Sequence, residues 1–539
     1  MNKVLFVALV ALTALGGRAA DDLAELKRLA AADAACVVRP AWENGGAYWN
    51  VNASQFIYPP SFDFASFPTA AEYEFTVIDD KYRMMSFRAP TPNVPLTNVW
   101  TKLGTGLTTV VCNALGKDGK SVGMSGLRVF WKSAPFTPGG YPPAKRTYSE
   151  TAAKVYEYVF NLAPIQAFLK TGRPDPTYKL NCYPAKIHAS LIRAMLCYAK
   201  AVPEKSADAL KLARLSADYL IASSEPAGAP LAGMPPTYEA HEEFKCFTAK
   251  EFEGQTMMLY PAVAGSAYLE LFKATGEKKY RAAALTIAER YLALQGEDGS
   301  WCLKLYLKDG KPVTKNRCHP LGIAEFLERV YAETKDAKYR TAADRAFAFV
   351  ERGPLSDWNW EGQFEDVGPT GKYVNLTKHP ACETAIYMTK RFPTDAKRIA
   401  LARDLLRFSE DQFVNWERPC RADGTGFKTG REWVKASDET AKYLEWLDFP
   451  NVMEQYYWYI PIDASNAKLI RTYLALYRVT KNPLDLAKAR ALGDTLTRVQ
   501  LDSGRIPTEM SKYKLADPMT DWINCMMAVA NALGELAGM

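Results

Sequence analysis

Carboxylates, histidines and aromatic rings crowd into a few short stretches of this chain. The densest is Ser356 to Glu383, SDWNWEGQFEDVGPTGKYVNLTKHPACE. It carries Trp358, Trp360, Phe364 and Tyr373 beside Glu361, Glu365, Asp366 and Glu383, with His379 near its end. Hydrolysis of an acetal bond uses two carboxyl groups, one to protonate the leaving oxygen and one to attack or to activate water. Aromatic faces take the C–H face of a hydroxylated ring while polar groups take its hydroxyls. Both residue sets occur here, and the plainer alternative is a capped loop whose rings pack on the rim of the fold.

Three further stretches have the same character. Glu454 heads the run Tyr456-Tyr457-Trp458-Tyr459, with Asp463 close behind; Glu454 is the better acid–base candidate, and Asp463 suits a helix N-cap. Tyr238 and His241 stand among Glu239, Glu242 and Glu243, and Asn316 and Arg317 precede His319. The chain has four histidines. His319 and His379 each stand directly before a Pro that opens a helical stretch, which suits a shared role in carrying protons or binding a carboxylate. His188 lies inside an apolar helical stretch and reads as structural. Tyr183, Asn181 and Lys186, and later Arg505, are candidate ligand contacts.

The elements that must position these residues are helical hairpins. Gly265 to Trp301, Gly322 to Val350 and Leu469 to Arg505 each read as an apolar helix, a short polar turn and a second helix, and two of them end in Gln-x-x-x-Gly with an Asp between. Units of this size cannot bury their apolar faces alone, so they stack. The spacing predicts a lone helix at 150–170, hairpins near 184–223, 256–296, 318–352, 379–413 and 464–500, and a last helix at 520–538. If the last helix pairs with the first, six hairpins close a ring. Turns within hairpins are short, whereas connections between hairpins are long and hold the residues above. All of these long loops enter the first helix of the next hairpin, so they gather at one end of the ring, where helix N-termini present free N–H groups.

Ahead of the ring the texture differs. Residues 1–19 read as a secretory leader, with Lys3 as its basic end, an apolar run from Val4 to Leu15 and cleavage after Ala19. Residues 20–36 read as a short helical segment. Residues 37–134 read as a small β-sandwich of the fibronectin type III kind, with strands at 72–79, 106–115 and 126–131 and a hairpin turn at Gly116–Lys120. A Pro-rich linker follows at 135–149, and the helical ring takes 150–539. The protein is thus expected to be mainly α, exported to the periplasm or beyond, and without a membrane anchor.

The net charge of +7 over 539 residues is mild, and no basic block points to nucleic acid. The ten cysteines lack paired metal spacings; a Cys302–Cys318 bridge is one open option. No HExxH, GxSxG, Walker or GxGxxG pattern occurs in a supporting context, so neither metal nor cofactor is expected.

The hairpin count, the loop asymmetry and the Gln-x-x-Asp-Gly-Ser-Trp ending at Gln295–Trp301 resemble the six-hairpin (α/α)6 toroid of carbohydrate-active enzymes. The ending resembles that of unsaturated glucuronyl hydrolases. A β region before the barrel is similar to the order in glucuronyl C5-epimerases and several uronate polysaccharide lyases. The resemblance implies a carbohydrate substrate and carries no individual residue across. Three readings follow. A glycoside hydrolase would draw its acid and base from Glu361, Glu365, Asp366, Glu383 and Glu454, and the abundance of rim carboxylates favours it. A uronate lyase or C5-epimerase would use a Tyr or His base, with Asn316, Arg317 or a histidine neutralising the substrate carboxylate. A glycan-binding protein would show an aromatic groove without convergent titratable groups. Trp358, Trp360, Tyr373, Tyr238, His241, Tyr456, Tyr457, Trp458 and Tyr183 are the expected substrate contacts in any of them.

Overall fold

The computed structural model describes residues 22–39, 48–239, 252–363, 371–418, 427–429, 432–434, 448–457, 459–510 and 518–539. The leader, Glu365, Asp366, His241 and Trp458 lie outside these residues.

Among the described residues twelve long helices form six antiparallel pairs. In chain order they are α1 (Tyr148–Asn161), α2 (Pro184–Ala201), α3 (Ser206–Ala222), α4 (Tyr260–Thr275), α5 (Lys278–Leu294), α6 (Leu321–Thr334), α7 (Ala337–Arg352), α8 (His379–Arg391), α9 (Ala396–Phe413), α10 (Asp463–Thr480), α11 (Pro483–Val499) and α12 (Ile523–Ala537). From α2 to α11 each even-numbered helix packs on the odd one that follows it, and α12 packs on α1. The even helices also touch one another in turn and α12 returns to α2, so they form a closed inner ring with the odd helices outside. Burial follows from sequence. Inner α4 is buried around most of its girth, from Pro261 and Ala262 to Leu269 and Leu271. Outer α7 buries one stripe (Tyr339, Ala342, Ala343, Ala346, Phe347, Val350) at helical spacing.

The hairpin turns carry their own stop and start signals. α4 ends at Gly276 in the left-handed region, and α7, α9 and α11 open on Asp336, Asp395 and Asn482, whose side chains accept from backbone N–H groups of the first turn. Such caps contribute about 1 kcal/mol each. The Gln-x-x-x-Gly ending docks one outer helix on the next. Gln295 Nε2 donates to Gly299 O and to Ala342 O in α7, both at 2.9 Å. Gln500 Nε2 donates to Gly504 O at 3.0 Å and to Thr151 O in α1 at 2.9 Å, which closes the ring. Gly299 and Gly504 have φ of 90° and 92°, and a Cβ would lie 2.2 Å from Arg345 O or 2.3 Å from Lys154 O. Only glycine fits this turn.

Residues 22–34 are helical, and five strands follow: β1 (Gln55–Phe56), β2 (Glu72–Ile78), β3 (Met84–Ala89), β4 (Gly106–Leu115) and β5 (Ser121–Lys132). The expected turn at Gly116–Lys120 joins β4 to β5. The expected sandwich is not what these strands build: they form a single sheet ordered β1-β5-β4-β2-β3, parallel only at β1–β5. The stretch after β1 supplies the apolar layer that a second sheet would provide. Phe62 packs on Phe130 at 5.6 Å and Phe64 on Phe75 at 6.4 Å, with Trp100 stacked on Phe130 at 6.0 Å.

A buried charge cluster clamps this region to the ring. Lys488 Nζ lies 2.8 Å from both oxygens of Glu410 and 2.7 Å from Asp33 Oδ2. Arg407 takes Asp33 Oδ1, while Tyr58, Tyr473 and Trp416 donate to the remaining carboxylate sites. Asp411 Oδ1 accepts from the backbone of Ile57 at 2.6 Å and Tyr58 at 2.9 Å. Among the described residues no helix is long and apolar enough to cross a membrane.

Candidate active site at the mouth of the ring

The inner helices all run the same way, so their first residues gather at one end. The segments entering them bring their side chains together in two flanks.

The polar flank spans the starts of α6, α8 and α10. Glu454 is its centre. Oε2 accepts from Lys378 Nζ at 2.5 Å and from the Ser465 hydroxyl, and Oε1 lies 2.8 Å from His379 Nε2. Burial opposes a charge on Glu454, but Lys378 and His379 hold its carboxyl well below the usual range. An ionised Oε1 accepts, so His379 Nε2 donates and Nδ1 keeps the ring's lone pair. Burial and the Lys378 ammonium push the imidazole below its ordinary value, against the pull of Glu454. His379 is therefore a neutral base with one nitrogen uncommitted, and a quarter of its side chain stays exposed (25%).

A second pair sits one turn deeper, where Lys468 of α10 bonds Glu383 of α8 at 2.8 Å. Burial would raise the Glu383 carboxyl, but Lys468 and His319 bring it down to about 2. His319 Nε2 meets the Thr384 hydroxyl at 3.3 Å, and burial pushes its imidazole down to about 4. Asp463, the first residue of α10, behaves oppositely. It is fully buried, its Oδ2 has no partner among the described residues, and burial with Asp521 and Glu454 nearby raises its carboxyl well above the usual range. The N-cap position is Ile462, so Asp463 does not cap the helix.

The aromatic flank spans the starts of α12, α2 and α4. Tyr183 packs on Trp522 at 5.1 Å and on Tyr238 at 6.0 Å, and Tyr238 stacks on Phe252 at 4.8 Å. Lys186 Nζ lies 4.3 Å from the Trp522 ring and 5.2 Å from that of Tyr260, and Lys304 Nζ lies 3.7 Å from Phe252. Trp522, Tyr260 and Lys186 are half-buried, which leaves ring surface for a ligand. Arg505 is tied to Asp521 at 2.5 Å.

Several expected site residues do other work. Glu361 accepts from the backbone of Gly371, Val374 and Asn375 and so staples its loop. Trp358, Trp360 and Tyr373 are fully buried rather than offered as platforms. Trp358 packs on Phe408, Trp360 meets His319 edge-on at 5.8 Å, and the Tyr373 hydroxyl donates to Asp357 O. Tyr456 is buried and bonds Gln412, while Tyr457 is exposed. Arg317 bonds Cys302 Sγ at 2.8 Å and lies near Asp298, and Asn316 O takes Leu303 N, so this stretch braces the 295–303 turn. Cys302 and Cys318 are free thiols; Cys302 bridges to Arg317, which turns Cys318 to the opposite face. His188 is buried between Phe168 and Tyr219, as its apolar helix predicts. Sequence reasoning missed Lys378, Lys468, Ser465 and Trp522. Their one visible signal is position, within two turns of the start of an inner helix. The described residues hold no group of three or more side chains arranged to bind a metal ion.

No protein-family model matches the chain, and no curated protein matches it by sequence. Some solved structures are similar over most of their length at low identity. A family 76 glycoside hydrolase from a bovine Bacteroides thetaiotaomicron strain is 12% identical with a TM-score of 0.46, over 88% of this chain and 95% of that one. The cellobiose 2-epimerase of Spirochaeta thermophila is 13% identical with a TM-score of 0.47, over 73% and 98%. An unsaturated glucuronyl hydrolase from a Streptococcus is 12% identical with a TM-score of 0.42, over 72% and 90%. At this distance the likenesses transfer neither residues nor a reaction.

Proposed function

We propose that the mouth is the active site of an exported carbohydrate-active enzyme that removes a carbon-bound proton from a uronic-acid residue, as a lyase or a C5-epimerase does. The observation that carries this reading is the 2.8 Å contact of His379 Nε2 with an ionised Glu454. A carboxylate that orients a neutral imidazole makes a general base, worth roughly 10²–10⁴ in rate. His379 Nδ1 would take the C5 proton, and the electron pair would move into the substrate carboxylate. Lys468 and Lys186 are the cations suited to that enolate, and Trp522 and Tyr260 suit the sugar face. Return of a proton to the other face completes an epimerisation; expulsion of the C4 oxygen completes a β-elimination.

Glu454, Glu383 and Glu361 favour this reading over hydrolysis. Glu454 and Glu383 are ionised by cations and Glu361 is bound to backbone, so none is poised to protonate a leaving oxygen. One observation favours a glycoside hydrolase as the second reading: burial raises the carboxyl of Asp463 well above its usual range while that of Glu454 is lowered, and divergent carboxyl pairs are the mark of acid–base assignments.

The test is incubation of the mature protein with uronic-acid oligosaccharides in deuterated water. Deuterium at C5 without cleavage supports epimerisation, and the ultraviolet chromophore of an unsaturated uronate supports elimination. New reducing ends with neither signal would replace this reading with hydrolysis, and Asp463→Asn would then be the substitution to make.

A further inference from the structure

The ring is hollow. A cavity of about 770 Å³ follows its axis, from Ala262 and Gly322 in the first turns of α4 and α6 to Lys200, Lys273 and Glu535 near the last turns of α2, α4 and α12. That volume falls within the range of ligand pockets, roughly 300–1,000 Å³. Its wall is charged, which a barrel core does not require.

The charges do not balance. Five cations line the cavity against three carboxylates. Each carboxylate is already shared by two cations. Glu270 bonds Arg193 at 3.1 Å and Arg329 at 2.7 Å; Glu325 bonds Lys390 at 2.7 Å and Arg329 at 3.5 Å; Glu535 bonds Arg471 at 2.8 Å and Arg478 at 2.9 Å. Lys200 and Lys273 answer the negative ends of their helices. Arg193, Arg329 and Arg471 sit in mid-helix, where the helix dipole asks for no cation. Burial opposes the charge on Arg193, with Glu270 as its carboxylate partner. Five cations facing one cavity with three carboxylates leave an excess of positive charge there, and a cleft lined by one sign of charge draws the opposite one.

We propose that the axial cavity is a second binding site, for a small ligand bearing oxyanion groups, whichever reaction the mouth performs. Free inorganic oxyanions and acidic sugars share the chemistry that would fill it. The guanidiniums of Arg193, Arg329 and Arg471 would take the oxyanions as paired N–H donors.

The test is calorimetric titration of the mature protein with sulfate, glucuronate and glucose, with ionic strength held constant by sodium chloride. Saturable binding of sulfate or glucuronate but not of glucose is expected. The Lys200→Gln/Lys273→Gln double variant leaves the three carboxylate clusters intact, so it keeps the fold, and it should weaken binding about tenfold, the equivalent of 1.4 kcal/mol. Lys468→Gln at the mouth should leave this binding unchanged. Preference for sulfate would identify a free oxyanion as the ligand, and preference for glucuronate a sugar acid. Three results would overturn the proposal: no heat beyond that of chloride, equal binding of glucose, or loss of binding in Lys468→Gln but not in the double variant.

Discussion

Two buried charge clusters of similar make-up sit at opposite ends of a functional scale. The clamp pairs Lys488 and Arg407 with Glu410 and Asp33, and the mouth pairs Lys378 and Lys468 with Glu454 and Glu383. Both contain two cations and two carboxylates. In the clamp tyrosine, tryptophan and arginine donors saturate the carboxylates. In the mouth two imidazoles are added, both pushed towards the neutral form, and one of them stays partly exposed. A saturated cluster can only hold the fold together. A cluster that orients an uncommitted base can do chemistry.

The sharpest way to break this contrast is to remove the imidazole. On the substrate identified by the oligosaccharide panel, His379→Gln should lower kcat on the order of 10²–10⁴-fold. Its urea midpoint should stay near that of the parent. A loss below tenfold would remove His379 from the role of base. The complementary change is Glu410→Ala in the clamp, which leaves the buried Lys488 with Asp33 alone and takes the acceptor from Tyr473 and Trp416. Losing one partner of such a pair costs about 3–5 kcal/mol of stability. Equilibrium unfolding should show that loss, while kcat of the folded fraction holds.

A third buried histidine separates burial from pairing. Among the described residues His188 has neither carboxylate nor cation beside it, and burial lowers it to about 3. Below the ordinary histidine value the unfolded chain binds a proton that the folded chain refuses. Stability is therefore lost as pH falls from about 6.5 towards 3, at up to about 1.4 kcal/mol per pH unit. His188→Leu should remove that component, so the variant gains on the parent as pH drops. An unchanged difference between the two across this range would show that His188 is protonated in the fold.

The same contrast explains what was legible in the sequence. The ring could be read because apolar spacing, short polar turns and the Gln-x-x-x-Gly ending all act locally. The position of the mouth followed from loop length alone. Single or double sheet could not be read, because Phe62 and Phe64 cover a strand face from a stretch with no strand pattern. Nor could the platforms. Trp358, Trp360 and Tyr373 sit in the most aromatic loop, but that loop folds its rings inward. Lys378 and Lys468 look like any solvated lysine until the ring fixes which side of each helix faces the bore.

The subtlest difference between the clusters lies in how far each carboxylate tunes its neighbour. Glu454 raises the proton affinity of His379 while burial and Lys378 lower it. The base must be neutral to act, so kcat/KM should be flat at neutral pH. It should fall as pH drops through the lowered value of His379, which lies below the ordinary 6.5. In Glu454→Gln the amide oxygen can still accept from Nε2, so the ring keeps its orientation, but the negative charge is gone and Lys378 remains. The acid limb should then move to still lower pH, by on the order of one pH unit, with kcat at the plateau reduced far less than in His379→Gln. Had Glu454 been the base itself, the same substitution would abolish the limb together with the activity. A limb that moves marks an orienting carboxylate like those of the clamp, put to use by the imidazole beside it.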